Sequence, residues 1–292
     1  MLQKEPLVTV CIPSFNHARF VAESILSVAT QEYANLELLI IDDGSLDNSV
    51  AIISNTISKI ENRFVRLEFI ARENVGLSKT LNQALTLSSG KYFSMLSSDD
   101  VLLPQKTKTL VSLLENNSQA GGAFAGYKQI NEDGLITRCL IPKAGTWNFK
   151  DVLDKKCQLY APTMLLRTSA VKDVGGYWED ISLEDRAMAL KLANAGFPLL
   201  TIDKIVAKYR WHPTNTVKNT DAMTSARLAI LNKFENTADT SKARAKVYFG
   251  AALESAKLNK KKAKNYFKLG VQAHPPSILS KPAFRAARRI FI

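Results

Sequence analysis

Two pairs of adjacent aspartates follow apolar runs in the first 100 residues. Asp42 and Asp43 end one run, and Asp99 and Asp100 follow another after two serines. Carboxylate oxygens are the hard ligands that Mg²⁺ and Mn²⁺ prefer. One such pair alone is more often a solvated turn or a helix cap, but two pairs at the ends of two strands favour a shared ligand site.

The first apolar run is not followed by a glycine-rich phosphate loop. The residues there are Pro13-Ser-Phe-Asn-His-Ala18, which fit neither the G-x-G-x-x-G fingerprint nor the Walker A pattern. A phosphate-bearing ligand would therefore need a metal ion, and the aspartate pairs are the candidates to hold that ion.

The elements that must position these aspartates alternate between strand and helix. Apolar runs predict strands at Leu7–Pro13, Leu38–Asp42, Val65–Ile70 and Tyr92–Leu96. Helical periodicity predicts helices over Ala18–Gln31, over Leu77–Ser88 and from Pro104 to about Asn116. A further helix is predicted by the stripe Val50, Ile53, Ile57 and Ile60, which follows the candidate N-caps Ser45 and Asp47. The alternation predicts an α/β fold with a mainly parallel sheet flanked by helices, where ligands bind beyond the carboxyl ends of the strands.

The charge of the chain is concentrated at its C-terminal end. The 292 residues are 46% hydrophobic and 23% charged, which fits a large globular domain with a small extension and excludes a disordered chain. Residues 1–221 contain 24 Lys+Arg and 24 Asp+Glu, whereas residues 222–292 contain 15 and 3. We therefore predict a catalytic domain over 1–220 and a basic helical C-terminal extension over 221–292.

Sequence features also indicate a compartment. The first residues lack the apolar core of a secretion signal, and no apolar stretch approaches the ~20 residues of a membrane span. Cys11, Cys139 and Cys157 fit neither a zinc spacing nor a disulfide framework. We expect a cytoplasmic protein.

Several motifs, in their order and spacing, resemble the family 2 glycosyltransferases of GT-A fold. The resemblance covers about residues 6–215, and such enzymes transfer a sugar from a nucleotide-sugar donor. The matching stretches are Val8–Asn16, Ser27–Gln31 with Tyr33, Leu39–Ser45, Asn74–Leu77 with Asn82, Ser89–Tyr92, Ser98–Asp100, Gly175–Tyr177, Glu184-Asp185, and Leu190–Leu192 with Gly196.

The resemblance implies one role for each of six side chains. By it, Asp43 accepts a hydrogen bond from the uracil of a UDP-sugar, Pro13 and Phe15 line the base and ribose pocket, Asp99 contacts the ribose or the sugar, Asp100 holds a divalent metal (Mn²⁺ or Mg²⁺) on the diphosphate, and Asp185 is the catalytic base. A metal would neutralise the charge that develops on the leaving diphosphate.

The chemistry of transfer fits a carboxylate base near the start of a helix. An acceptor hydroxyl is a poor nucleophile, so a base must take its proton, and direct displacement inverts the anomeric centre. The adjacent like charges of Glu184 and Asp185 would raise one pKa, which suits a base. The alternative is that both acids only stabilise the helix dipole.

Three further residues are candidates for the site. Lys79 is a candidate phosphate contact or a plain surface lysine. In Tyr209-Arg-Trp-His212, which resembles a family stretch, Arg210 is a candidate diphosphate contact, and His212 is either a metal or phosphate contact or a packed or exposed loop histidine. Ser97 occupies a position where the family commonly has another Asp, so one ligand is missing.

The basic extension reads as helices over Asp221–Asn232, Ser241–Lys257, Lys260–Ala273 and Pro282–Ile292. In the last one, aromatic and aliphatic residues alternate with arginines, as in helices that lie on an anionic membrane surface. The alternative is a solvated helical bundle. The membrane interpretation fits a lipid-linked acceptor and a peripheral position on the inner face of the cell membrane.

We therefore expect an inverting, metal-dependent glycosyltransferase that uses a UDP-sugar and a glycan or lipid-linked acceptor, and that helps assemble a bacterial O-antigen, capsule or lipopolysaccharide. Trp147 and Trp178 either stack on sugar rings or belong to the core. The alternatives are a non-catalytic nucleotide-sugar-binding relative, an enzyme that loads a sugar onto polyprenyl phosphate, and a basic nucleic-acid-binding protein. The lack of any recognised nucleic-acid motif argues against the last of these.

Overall fold

The computed structural model describes residues 5–212, 215 and 219–291, and these form two compact units. The first unit comprises residues 5–152, 157–180 and 184–212. The second comprises residues 153–156, 181–183 and the described residues after 212. The units thus divide after His212, and the division predicted after residue 220 stays a prediction.

The first unit is built on a ten-stranded mixed sheet. Its strands are β1 (Val8–Ser14), β2 (Leu36–Asp43), β3 (Arg66–Arg72), β4 (Tyr92–Met95), β5 (Val101–Leu102), β6 (Gly122–Ile130), β7 (Ile136–Leu140), β8 (Gly145–Trp147), β9 (Leu165–Arg167) and β10 (Leu199–Arg210). They are ordered β3-β2-β1-β4-β9-β6-β10-β5, with β7 beside β6 and β8 beside β10. Pairing is parallel from β3 to β4 and between β6 and β10. The predicted α/β class with a mostly parallel sheet is confirmed.

Helices connect the strands. In and around the first unit these are α1 (Val21–Ala29), α2 (Ser49–Ile57), α3 (Leu77–Leu87), α4 (Lys106–Glu115), α5 (Phe149–Leu153), α6 (Thr168–Asp173) and α7 (Glu184–Asn194). The second unit contains α8 (Thr220–Asn232), α9 (Ser241–Ser255), α10 (Lys260–Ala273) and α11 (Lys281–Phe291). Short 3₁₀ turns lie at Glu61–Arg63, Ala161–Thr163 and Pro275–Leu279.

A buried carboxylate stands in the middle strands of the sheet. All eight residues of β2 are buried, including Glu37. Its carboxylate accepts hydrogen bonds from the Thr9 hydroxyl, the Ser89 N–H and the Arg66 guanidinium. A buried charge is tolerated only with such partners. Glu37 therefore cross-links β1, β3 and the turn before β4.

The start of α2 bears out one of the two candidate caps. The helix begins at Ser49 after Asn48, and Asp47 accepts the N–H of Ser49, whereas Ser45 does not cap the helix. Ser45 bonds instead to the Asp42 carboxylate, and Asp47 accepts the N–H groups of Ala18 and Ser49. These polar residues fasten the loop after β2 to the loop after β1, which is a long-range task that local sequence does not reveal.

The second unit packs helices around small side chains. Its core includes Ala252, Ala256, Ala263, Ala286 and Ile290, contributed by α9, α10, α11 and the turn after α9. The alanines let the helix backbones approach closely, and Phe249 and Phe267 fill the space beside them, with ring centroids 5.3 Å apart. Among the described residues, no helix is long and apolar enough to cross a membrane.

Candidate functional site

The carboxyl ends of β1, β2 and β4 meet at one edge of the sheet. In the parallel register, Ser14 lies opposite Asp42, and Cys11 lies opposite Met95. The loops that follow these strands therefore leave the sheet on the same side. Both aspartate pairs belong to this edge, as the strand pattern predicts.

In the first aspartate pair, Asp42 bonds to two serines and holds the turn after β2. Its carboxylate accepts the hydroxyl of Ser14 at 3.0 Å, and the N–H and hydroxyl of Ser45 at 2.8 and 2.7 Å. Between them Gly44 has φ +79°, and a Cβ there would lie 2.7 Å from the backbone nitrogen of Asn74. The turn thus requires glycine both for its conformation and for the closeness of the next loop.

Asp43, the predicted uracil contact, holds the loop before α3. Its Oδ1 accepts the Val75 N–H at 3.0 Å and the Arg72 guanidinium, and its Oδ2 accepts the Gly76 N–H at 2.9 Å. Among the described residues, that N–H is the single donor to Oδ2, so this oxygen keeps acceptor capacity for a ligand.

The other predicted nucleotide-site residues lie on the same edge. Pro13 is half-buried at the end of β1. Phe15, directly after β1, leaves 45% of its surface exposed, so its ring is accessible to a ligand. Lys79 is exposed in the first turn of α3, directly after the loop that Asp43 holds.

Asp99 and two histidines form a compact cluster. The Nε2 of His212 lies 2.8 Å from Oδ2 of Asp99, and the Nδ1 of His17 lies 2.7 Å from the hydroxyl of Ser98. One ligand atom from each of His17, Asp99 and His212 lies within 4.8 Å of the others. Two imidazole nitrogens and a carboxylate oxygen are a donor set that fits a divalent transition metal such as Mn²⁺.

Sequence reasoning assigned His212 to the metal but missed His17. The chain has three histidines, and His17 follows the first strand at the ligand-binding edge. That position was the available signal. Burial lowers the pKa of His17, which keeps the ring neutral and able to donate a lone pair to a metal.

The structure separates the roles of Asp99 and Asp100. Asp100 is buried, and its Oδ1 accepts the backbone N–H of Arg210 at 2.8 Å. Burial and the neighbouring Asp99 carboxylate raise the pKa of Asp100 well above its usual range. Sequence reasoning gave the metal to Asp100 and the sugar to Asp99, whereas the structure places Asp99 beside the histidines.

The Arg210 side chain donates hydrogen bonds to several protein groups. Its guanidinium donates to the backbone oxygens of Asp99, Asn131 and Glu132 at 2.9–3.2 Å, and to the carboxylate of Glu23. The side chain is 2% exposed. The predicted contact between Arg210 and a diphosphate therefore stays a prediction, and its described contacts fix the Asp99–Asp100 loop instead.

Glu184 and Asp185 open α7, as the motif predicts. Burial, followed by the charge of Asp185, raises the pKa of Glu184 to about 8, and burial also raises the pKa of Asp185. The predicted pKa elevation therefore occurs, with burial as its main cause. Asp185 borders a cavity of about 120 Å³ that is otherwise lined by Phe124, Val152, Cys157, Leu159, Arg186 and Ala189.

The turn before α7 is fastened to α3. The Asn82 side chain donates to the Tyr177 oxygen at 3.0 Å and accepts the Tyr177 N–H at 2.8 Å. The Lys191 ammonium donates to the Gly176 oxygen. Gly176 has φ +65°, and a Cβ there would lie 2.7 Å from the Asn82 side-chain oxygen. This glycine turn therefore helps to set where Asp185 stands.

The two tryptophans proposed as sugar platforms or core residues are both partly buried and engaged. Trp147 donates its ring N–H to Thr201 at 2.7 Å, and the Lys191 ammonium lies 4.9 Å from the centroid of the Trp178 ring.

Comparisons with known proteins identify the family of the chain. The family described as Glycosyl transferase family 2 matches residues 9–175. A UDP-Glc:alpha-D-GlcNAc-diphosphoundecaprenol beta-1,3-glucosyltransferase, WfgD, of Escherichia coli is 30% identical over 55% of this chain and 60% of its own length. The chondroitin synthase of Escherichia coli is 26% identical over 80% of this chain and 33% of its own length. The chain covers 41% or less of the length of five other curated relatives, among them an uncharacterized glycosyltransferase of Rickettsia prowazekii.

Solved structures share the fold. A mannosyltransferase of Pyrobaculum calidifontis in complex with GDP-Man and Mn²⁺ has a TM-score of 0.69 and 15% identity, and the superposition covers 99% of this chain and 86% of that one. Residues 1–349 of S. aureus TarS in complex with UDP-GlcNAc have a TM-score of 0.67 and 16% identity, and the superposition covers 97% of this chain and 88% of that one. The α/β fold described above is therefore GT-A-like.

Proposed function

Since the chain belongs to glycosyl transferase family 2, we propose that it transfers a sugar from a nucleotide-diphosphate sugar to a hydroxyl group of a glycan or lipid-linked acceptor, with inversion at the anomeric carbon. The observation that carries the proposal is the cluster of Asp99, His17 and His212 at the same sheet edge as Asp43. A cation site beside a base pocket is what a nucleotide diphosphate requires.

The donor site combines three kinds of contact. Asp43 offers Oδ2 to a ring N–H of the base, and Pro13 with Phe15 forms an apolar wall for base and ribose. Asp99, His17 and His212 would hold a Mn²⁺ or Mg²⁺ ion, with Mn²⁺ favoured by the imidazole nitrogens. When bound, the ion supplies positive charge that stabilises the departing diphosphate. The exposed ammonium of Lys79 supplies a second positive charge near the phosphates.

Asp185 is the base of the proposed reaction. The acceptor oxygen attacks the anomeric carbon, a carbon–oxygen bond forms, and the bond from that carbon to the diphosphate oxygen breaks. The Asp185 carboxylate takes the hydroxyl proton, and the nucleoside diphosphate leaves with the bonding electron pair. The raised pKa of Asp185 makes it a stronger proton acceptor than an ordinary aspartate.

UDP is the nucleotide that we favour. Support comes from the uracil-type contact expected at Asp43 and from relatives whose names state UDP-Glc and UDP-GlcNAc. A thermal-shift panel of UDP, GDP and their common hexose derivatives, each with and without Mn²⁺, tests this. UDP compounds should raise the melting temperature most, and only with the metal. Equal shifts for all nucleotides, or none, would contradict the proposal.

We also propose that α11 binds an anionic membrane surface, where a lipid-linked acceptor of a bacterial surface polysaccharide would reside. Arg285, Arg288 and Arg289 face solvent, and the described residues place no carboxylate within ion-pair distance of them. Beside them Phe284 and Phe291 are 69% and 61% exposed. Aromatic rings next to unpaired arginines match the interface of an anionic bilayer.

Liposome co-sedimentation separates this proposal from a solvated bundle. The full chain should sediment with vesicles containing 30% phosphatidylglycerol and not with pure phosphatidylcholine. Changing Arg285, Arg288 and Arg289 together to Gln should abolish sedimentation. The matched control changes three exposed lysines of α10, Lys260, Lys261 and Lys268, to Gln. Equal binding by both triple variants would reject α11 as the membrane contact.

A further inference from the structure

Four aromatic side chains form a continuous patch on the first unit. The ring centroids of Tyr127 and Tyr160 lie 5.0 Å apart, those of Tyr127 and Tyr209 5.5 Å, and those of Tyr209 and Trp211 6.4 Å. The tyrosines are half-buried, and Trp211 leaves 39% of its surface exposed. We call Tyr127, Tyr160, Tyr209 and Trp211 the aromatic patch.

The patch adjoins the proposed metal and base residues. Tyr209 directly precedes Arg210, whose N–H bonds to Asp100, and Trp211 directly precedes His212, whose ring contacts Asp99, so the same stretch of backbone carries part of the patch and contacts both aspartates. After burial, the groups that raise the pKa of Tyr209 are, in order, Asp100, Asp99, Tyr127 and Asp185. Asp185 also borders a cavity that is lined by Leu159, the residue directly before Tyr160. The patch therefore lies next to the cavity of the proposed base.

The patch also lies on a different part of the sheet from the donor residues. Tyr127 and Tyr209 stand on β6 and β10, whereas Asp43 and Phe15 belong to β2 and the end of β1. In the strand order, β4 and β9 separate these two groups. A ligand on the patch would thus occupy a different part of the sheet from the nucleotide.

The patch has the chemistry of a sugar site. The hydroxyls of Tyr127, Tyr160 and Tyr209 have no hydrogen-bond partner among the residues that the structure describes. The apolar C–H face of a pyranose packs on aromatic rings, and its hydroxyl groups need donors and acceptors of this kind. A buried packing cluster would need neither exposed rings nor free hydroxyls.

We propose that the aromatic patch binds the pyranose ring of the acceptor and presents its hydroxyl to Asp185. This inference rests on the proposed function, because a glycosyltransferase needs an acceptor site in addition to its donor site. It makes Tyr160 and Trp211 specificity-determining residues that contact the acceptor and not the nucleotide.

Saturation-transfer NMR tests the patch directly. Methyl glycosides of glucose, galactose, mannose, N-acetylglucosamine and N-acetylgalactosamine are added to the full chain loaded with UDP and Mn²⁺. At least one glycoside should receive saturation at its ring protons and bind about tenfold more weakly to Tyr160→Ala and Trp211→Ala. Tyr248→Ala, which alters a stacked tyrosine pair of the second unit, is the matched control and should bind as the unaltered chain does.

Two outcomes would overturn the inference. One is that no glycoside receives saturation although the chain binds UDP and Mn²⁺; the other is that a glycoside binds equally well to Tyr160→Ala, Trp211→Ala and Tyr248→Ala. Failure to bind any nucleotide would instead reject the proposed function, so the two failures are distinguishable. Tyr160→Phe separates the contribution of the hydroxyl from that of the ring.

Discussion

The Nε2 of His212 lies 2.8 Å from Oδ2 of Asp99, across 113 positions of sequence. With His17 this contact gathers three donor atoms within 4.8 Å. The adjacent Asp100 is turned to the backbone of Arg210. The contact therefore distinguishes two neighbouring aspartates, and it favours Asp99 for the metal that the motif assigns to Asp100.

The first prediction concerns metal affinity. His212→Ala should weaken Mn²⁺ binding at least tenfold in the presence of UDP, because it removes one of three donors. Isothermal titration calorimetry measures this. His274→Ala is the matched control, since His274 contacts Ser277 in the second unit. Equal Mn²⁺ affinities for the two variants would contradict the cluster.

The second prediction separates Asp99 from Asp100. Asp99→Asn should lose Mn²⁺-dependent UDP binding, because an amide is a much weaker metal ligand than a carboxylate. Asp100→Asn keeps an oxygen that can accept the Arg210 N–H, so it should bind Mn²⁺ more tightly than Asp99→Asn does. The opposite order of affinities would return the metal to Asp100.

A third prediction concerns the pH dependence of sugar transfer. Burial raises the pKa of Asp185, and the charge of Arg186 opposes that rise. Arg186→Gln should therefore raise the pKa further, and the acidic limb of the kcat/KM profile should move to higher pH by about one pH unit. The exposed Lys172→Gln serves as the charge-matched control. If the acidic limb of the kcat/KM profile does not move in Arg186→Gln, ionisation of Asp185 does not set that limb.

The glycine turn before α7 supplies a fourth prediction. Gly175 and Gly176 both have positive φ, but a Cβ at Gly175 meets open space, whereas one at Gly176 meets Asn82. Gly175→Ala should cost only backbone strain, about 1 kcal/mol of unfolding free energy. Gly176→Ala should cost more and should also lower kcat, because it displaces the turn that positions Asp185. Urea denaturation and kinetics of both variants check this, and equal effects would contradict it.

The fifth prediction concerns a buried lysine. Lys106 is fully buried, with its Nζ bonded to Ser94 and to the Met164 oxygen, and burial lowers its pKa to about 7. Between pH 7 and about 10.5 the unfolded chain holds a proton at Lys106 that the folded chain lacks. The free energy of unfolding therefore rises with pH through this window, because the cost of burying the Lys106 amine falls.

The comparison with Lys106→Met isolates that contribution. Between pH 6.5 and 9, the unfolding free energy of the unaltered chain should rise by about 2 kcal/mol relative to that of Lys106→Met. Chemical denaturation at both pH values measures the difference. A constant difference would show that Lys106 stays charged in the folded protein.

Local sequence was sufficient for the elements and for part of the site. Apolar runs located β1 to β4, and helical periodicity located α3 and the helices of the second unit. The aspartate pairs were identifiable because parallel strands end at one edge. Burial of the apolar residues of β2 was equally readable, whereas burial of its three acidic residues, Glu37, Asp42 and Asp43, was not.

Contacts between distant segments were not readable. His17 and His212 are separated by most of the first unit, and the partners of Arg210 come from three other segments. The aromatic patch likewise joins residues of β6, β10 and the loop before β9. Side-chain direction distinguishes Asp99 from Asp100, and one residue of offset in a loop changes that direction completely.

The central claim is that Asp185 deprotonates an acceptor at a nucleotide site held by Asp99 and the histidines. The most direct measurement compares Asp185→Asn with the unaltered chain in UDP release from a UDP-sugar with acceptor, alongside Mn²⁺·UDP affinity. We predict that the turnover number falls by about 10²–10⁴ while the UDP affinity stays within a factor of two. Turnover that persists in Asp185→Asn, or UDP binding that disappears with it, would contradict the account.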